Sequence, residues 1–187
     1  MVPAEVARRA ATVRVLLRLP EPRDEAEFVA LRRASRAHLE PWEPVPPDGH
    51  DPWGAAEFER YLETRRSPRR VRWLVCRRGD GALLGACALT GIQRGVLQSA
   101  TLDYWIGERF AHQGYMTEAL GHVLCEAFGP FELHRLEALV LPDNEPSRRL
   151  LTRAGFRCEG LSRRLIHLRG QWRDHERWAL TREEWGG

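Results

Sequence analysis

Apolar positions along this chain come in short runs whose period changes from one run to the next. Residues 13–19 read as an edge strand that Pro20 stops. Asp24 stands where it can cap a helix over 24–38, with Phe28, Leu31 and the alanines on one side, until Pro41 ends it. Residues 41–53 carry five prolines in thirteen positions and are predicted to be an irregular loop. Loops that hold aromatics and a carboxylate are frequent places of recognition. A second helix is predicted over 54–66. Residues 71–77, 82–90 and 98–106 then read as three successive antiparallel strands, turned at Gly79-Asp80-Gly81 and at Arg94-Gly95.

Further along, a helix is predicted from Tyr115 to about Phe128, a strand over 136–141, and a helix over 146–154 closed by Gly155. The pattern ends in a hairpin, 156–168 returning through Arg169-Gly170 into 172–181. Strand, helix, strand between 99 and 141 requires a parallel pair with a right-handed crossover, whereas the flanking hairpins are antiparallel. The predicted fold class is therefore α+β, with a mixed, mostly antiparallel sheet. With no repeat, low-complexity tract or long linker, one domain over 13–185 is expected.

Composition narrows the function. Charged residues make up 29% and hydrophobic ones 43%, and no apolar run approaches the ~20 residues that a membrane span needs. Arg8, Arg9, Arg14 and Arg18 interrupt any apolar leader, so a cytoplasmic protein without a membrane partner is expected. Cys76, Cys87, Cys125 and Cys158 lack CxxC spacing and are read as buried reduced thiols, and no metal-ligand spacing is present. All 29 basic residues are arginine, which codon bias in a GC-rich genome explains. Against 26 acids the net charge is only +3 and the basic residues read as interspersed, so no direct nucleic-acid partner is expected.

The chemistry concentrates in residues 103–120, a strand that passes through a short basic turn into an amphipathic helix. The first turn of a helix leaves backbone N–H groups without partners at the positive end of its dipole, so residues 113 to 117 offer donors to a diphosphate. Gly114 allows close approach and Arg109 adds a fixed charge. On these residues alone an ordinary structural turn is an equal reading.

With Asn144-Glu145-Pro146-Ser147 opening a helix that ends in Ala154-Gly155-Phe156, the order and spacing resemble the GCN5-related N-acetyltransferase (GNAT) superfamily. Four segments are similar to the Rim-type ribosomal-protein alanine acetyltransferases: His38 to Pro44, Tyr104 to Gly107, Gly114 to Leu120 and Gly170 to His175. The resemblance implies acetyl-CoA as donor, a primary amine as acceptor and no metal. It places Tyr104, Trp105 and Ile106 along the pantetheine arm, where their strand splays from the strand at 136–141. Arg109, Gln113, Gly114, Tyr115, Met116 and Thr117 lie at the pyrophosphate, and Asn144 at the pantetheine amides. One departure stands out: His112 occupies the position of the family's first glycine, and histidine tolerates positive φ less well.

By the same resemblance Ser147 is the first candidate for the acid that protonates the leaving thiolate, with a helix-terminal serine satisfying backbone donors as its structural alternative. Tyr104 is the rival acid, or core packing. Glu43, on the proline-rich loop beside Trp42, is the leading proton acceptor for the amine, and Asp103 is the alternative. Trp42, Trp53 and Trp172 are candidates to line a peptide groove, between loops at 41–53 and 163–175, or simply to pack. His122 and Cys125 are read as packing or solvent-facing. The function expected is N-acetylation of a protein N-terminus, that of a ribosomal protein foremost. Acetylation of a small-molecule amine and a non-catalytic RNA-associated module are the alternatives, and monomer and homodimer both stay open.

Overall fold

The computed structural model describes residues 13–46 and 49–186. Its elements, in chain order, are β1 (Val15–Arg18), α1 (Glu25–Ala34), α2 (Arg36–Leu39), α3 (Ala55–Glu63), β2 (Arg66–Ser67), β3 (Arg70–Arg77), β4 (Leu83–Gln93) and β5 (Ser99–Ile106), then α4 (Tyr115–Phe128), β6 (Arg135–Val140), α5 (Glu145–Arg153), β7 (Arg157–Leu168) and β8 (Gln171–Thr181). One eight-stranded sheet runs β1-β3-β4-β5-β6-β8-β7, with the short β2 paired to β3. Only β5 and β6 are parallel among these pairs, and α4 is the crossover between them.

The parallel pair holds for three residues: Ser99 pairs Arg135, Ala100 pairs Leu136 and Thr101 pairs Glu137. Beyond Thr101 each strand stays with its other neighbour, β5 following β4 as far as Ile106 and β6 following β8 as far as Val140. The sheet therefore forks. Gly85 makes the bend of β5 toward β4 possible, because a Cβ there would lie 2.2 Å from the Trp105 carbonyl oxygen.

Strand alternation sends Leu102, Tyr104 and Ile106 to one face of β5 and Thr101, Asp103 and Trp105 to the other. The first face is covered by α4 and α5: the Cys87 thiol, opposite Tyr104, donates to Met116 Sδ at 3.6 Å, and Tyr104 touches Ser147. The second face is covered by α1 and α3, with the Phe28 ring edge-on to Trp105 at 5.6 Å and against Tyr61 at 5.2 Å. Between these layers lies a continuous core that includes Leu74, Leu84, Leu89, Leu120, Leu136 and Leu180.

The structure departs from the sequence pattern in four places, the first being the helix expected over 54–66, which stops at Glu63 and leaves Arg66 in β2. The helix expected over 24–38 is broken at Ser35, which is 1% exposed and accepts a hydrogen bond from Glu108 N–H at 3.0 Å. Asp24 sits at the N-cap position but does not cap with its side chain; its two oxygens take the Arg18 guanidinium at 2.6 Å each. All four cysteines are free, as expected, but only Cys76 and Cys87 are buried; Cys125 and Cys158 are exposed.

Candidate active site

The fork opens a cavity of about 780 Å³ that reaches both faces of the sheet. On the face of α4 and α5 it is lined by Tyr104, Met116, Thr117, Asn144 and Ser147, and on the opposite face by Glu43, Tyr61, Arg72, Thr90, Asp103 and His175. Adjacent residues of one strand thus face two halves of one chamber. Because β5 has lost its parallel neighbour, its backbone groups from Leu102 to Ile106 border that chamber on the β6 side.

At the mouth of the first half, a 3₁₀ turn over Glu108–Phe110 leads into α4. His112 and Gly114 both take left-handed conformations, with φ of +61° and +81°. The chain therefore keeps a glycine-like backbone at His112, at a cost of roughly 1 kcal/mol. The ladder of α4 begins with Glu118 N–H to the Gly114 carbonyl at 3.1 Å, which leaves the preceding amides free of intrahelical partners. His112, Gly114, Tyr115, Met116 and Thr117 line the chamber there.

The charge beside this turn is Arg14, not Arg109. The Arg109 guanidinium rests over the Phe110 ring at 4.5 Å, and its carbonyl accepts from Gln113 Nε2; neither residue lines the chamber. Arg14 donates to the Gln113 carbonyl at 3.1 Å, lies over the Tyr115 ring at 4.7 Å, and would meet a Gly114 Cβ at 3.2 Å. Glu118 anchors it, accepting from Arg14 Nε at 3.1 Å and from Val15 N–H at 3.0 Å. Sequence reasoning missed Arg14 because this contact joins positions a hundred residues apart. The turn, its glycine and its anchored cation fit a diphosphate.

Deeper in the same half, Asn144 is the N-cap of α5: its Oδ1 accepts from Ser147 N–H at 3.2 Å. That leaves the Ser147 hydroxyl free to lie 2.6 Å from the Tyr104 hydroxyl. Burial pushes the Tyr104 phenol well above its ordinary range, against the opposing effect of the Ser147 hydrogen bond, so it stays protonated. A neutral phenol and an alcohol in contact make a two-member proton relay facing the chamber.

The opposite half is ionic. Glu43 does line it, but both carboxylate oxygens are taken by Arg32 at 2.6 Å each. Arg32 in turn is stacked over Trp53 at 4.7 Å and Trp105 at 5.1 Å. The pair ties the 40–46 segment to α1 and leaves Glu43 poorly placed to accept a proton. Asp103 has one oxygen held by the Thr90 hydroxyl at 2.8 Å and opens on the chamber. Although the residue is solvent-exposed, the protein packed around its carboxyl raises the pKa above the usual range, opposed by Thr90 and by the charges of Arg72 and Arg70.

Of the remaining candidates, Trp105 and Ile106 line the chamber, as does Trp42, whereas Trp53 is buried under Arg32 and Trp172 is 62% exposed at the hairpin tip beside His167. Of residues 163–175 only His175 reaches the chamber. It is buried, its Nδ1–H donates to the Arg173 carbonyl at 3.1 Å, and desolvation lowers its pKa. No group of metal-ligating side chains occurs among the described residues.

Residues 14–157 match the acetyltransferase (GNAT) domain family. A probable N-acetyltransferase of Bacillus subtilis, YjcK, is 36% identical over 120 residues, which is 64% of this chain and 66% of that protein. The ribosomal protein uS5-alanine N-acetyltransferase of Escherichia coli is 29% identical over 180 residues, covering 95% of this chain and 92% of the relative. Among solved structures, Mycobacterium smegmatis RimJ in complex with CoA-disulfide superposes with a TM-score of 0.86 at 34% identity, over 92% of this chain and 84% of that one.

Proposed function

The chain belongs to the GNAT acetyltransferase family, and on that premise we propose that it acetylates the α-amine of a protein N-terminus, that of a ribosomal protein foremost. Support comes from the uS5-alanine specificity stated for the Escherichia coli relative, which spans nearly the whole chain. A ribosomal acceptor would place the enzyme in the cytoplasm. The observation that carries the reading is the two-sided chamber at the fork, with amides and a proton relay on one side and a carboxylate on the other.

Acetyl-CoA supplies an activated acyl group and a thiolate leaving group. The amides before Glu118, with Arg14, hold its diphosphate, and the free edge of β5 near Ile106 offers backbone groups to the arm and to the developing oxyanion. Asp103 receives the proton of the incoming ammonium, directly or through one water, and its raised pKa suits it to that exchange better than the Arg32-clamped Glu43. The Ser147 hydroxyl gives its proton to the departing sulfur and regains one from Tyr104, and the second proton shed by the acylated nitrogen restores the neutral phenol, so the relay ends as it began. Amine and thioester thus meet through the fork from opposite faces.

Mass spectrometry after incubation with acetyl-CoA and a panel of N-terminal peptides, spermidine and an aminoglycoside tests this. Acetyl added to peptide α-amines is expected. Acetylation of the small amines alone overturns the N-terminal reading and leaves the transferase.

A further inference from the structure

Between Thr64 and Arg78 the sequence holds Arg65, Arg66, Arg69, Arg70, Arg72, Arg77 and Arg78 and no acid at all. This is the exception to the interspersed charge noted above. The first five occupy the β2–β3 hairpin, where Arg66 pairs with Val71 and Ser67 with Arg70. Arg65, Arg66 and Arg69 are exposed, and Arg70 and Arg72 are half-buried on one face of β3. Arg72 reaches the Asp103 side of the chamber.

Elsewhere in the molecule buried or half-buried arginines have anionic partners: Arg18 has Asp24, Arg32 has Glu43, and Arg135 has Glu137 and Glu159. Arg70 and Arg72 do not. Their Nε atoms, like that of Arg32, are buried without a hydrogen-bond partner among the described residues, and, unlike Arg32, neither guanidinium has an ion pair there. Arg72 lies over the Tyr61 ring at 4.3 Å, and desolvation lowers its pKa against the more distant charges of Glu57 and Asp103, neither of which pairs with it. A half-buried guanidinium that no carboxylate hydrogen-bonds is under-satisfied and gains from a further anionic partner. Its position beside Asp103, facing the chamber, says what completes it: an anion that arrives with the acceptor.

We infer that the acceptor is an acidic N-terminal segment, whose α-amine meets Asp103 while a carboxylate within its first few residues pairs with Arg72 and later ones follow Arg70, Arg69 and Arg66 out along the hairpin. This rests on the N-terminal reading above and specifies its substrate class. A polyamine offers only cations to the same arginines and is repelled by them.

The test uses peptides that share an N-terminal alanine and differ at positions two to six, which are acidic, neutral or basic. With saturating acetyl-CoA, kcat/KM is expected to fall in that order, by about tenfold or more between the extremes at low ionic strength, and the gap should narrow in about 0.5 M salt. The double variant Arg66→Glu/Arg69→Glu, both on the exposed hairpin, should reverse the order of acidic and basic peptides. Arg72→Gln should raise KM for the acidic peptide more than for the neutral one. Equal rates for all three peptides, or a preference for the basic one, overturns the inference while leaving N-terminal acetylation intact. Refusal of every peptide by an enzyme that binds acetyl-CoA instead removes the N-terminal reading and this with it. Retention of poly(U) combined with no acidic preference reassigns the arginines to nucleic acid and equally overturns it.

Discussion

The two halves of the chamber are built by different means. The half under α4 and α5 is made of neutral hydroxyls, backbone amides and helix ends, and its parts are local: Gly114 begins α4, and Asn144 caps α5 three residues before Ser147. The half under α1 and α3 is made of charges, Arg32 with Glu43, Arg72 near Asp103, brought together from four elements. One strand serves both, because Asp103 and Tyr104 point oppositely. In the proposed mechanism a leaving thiolate takes a proton from a group that stays neutral and an incoming ammonium meets an anion, and the sheet would keep these requirements apart.

Experiments on either half should therefore fail differently. Ser147→Ala is expected to lower kcat by about 100-fold while calorimetry shows acetyl-CoA affinity almost unchanged, since Asn144 still caps the helix. A parallel loss of affinity would make the serine structural and merge the two roles. Asp103→Asn should cost a smaller factor, about 10- to 50-fold in kcat/KM, and should remove the acid limb of the pH–rate profile. Because the native carboxyl pKa is raised, the ionised form burdens the fold above that pKa and not below the unfolded value. Because Asp103 is solvent-exposed, the asparagine variant is expected to melt only slightly higher than the parent at neutral pH, with the difference vanishing in acid. A variant that melts lower at neutral pH would mean Asp103 is paired, not desolvated.

Gly114→Val tests the donor mouth, where a β-branched residue must take φ of +81° and its Cβ meets Arg14. Acetyl-CoA binding is expected to weaken by about tenfold, with a stability loss of about 1–2 kcal/mol. The smallest effect belongs to His112→Gly: relief of the left-handed histidine should stabilise by less than about 1 kcal/mol, since the freer unfolded chain offsets part of it. Denaturant midpoints would register both.

The same contrast decides what could be read without coordinates. Residues 115–128 were expected as a helix and form one, and Arg169-Gly170, both left-handed, turn the last hairpin where the pattern put it. These rest on neighbours in sequence, as do Gly114 and the Asn144–Ser147 spacing. The break at Ser35 depends on Glu108 N–H, 73 residues away, and Asp24 leaves its capping role because Arg18 on β1 competes for it. Likewise Arg14 beside the turn at Gly114, and the clamp that occupies Glu43, follow from which strand or helix lies next door. Hydrophobic period carries no information about that, so the ionic half of the chamber was the less legible one.

That ionic half is built with guanidinium groups, and the whole sequence contains no lysine. An ammonium in place of Arg72 would itself be a primary amine facing the chamber, open to capture by the very reagent the enzyme handles. Guanidinium nitrogens stay protonated and unreactive there. The catalyst thus works beside a store of activated acetyl groups with no side-chain amine of its own that the reaction can consume.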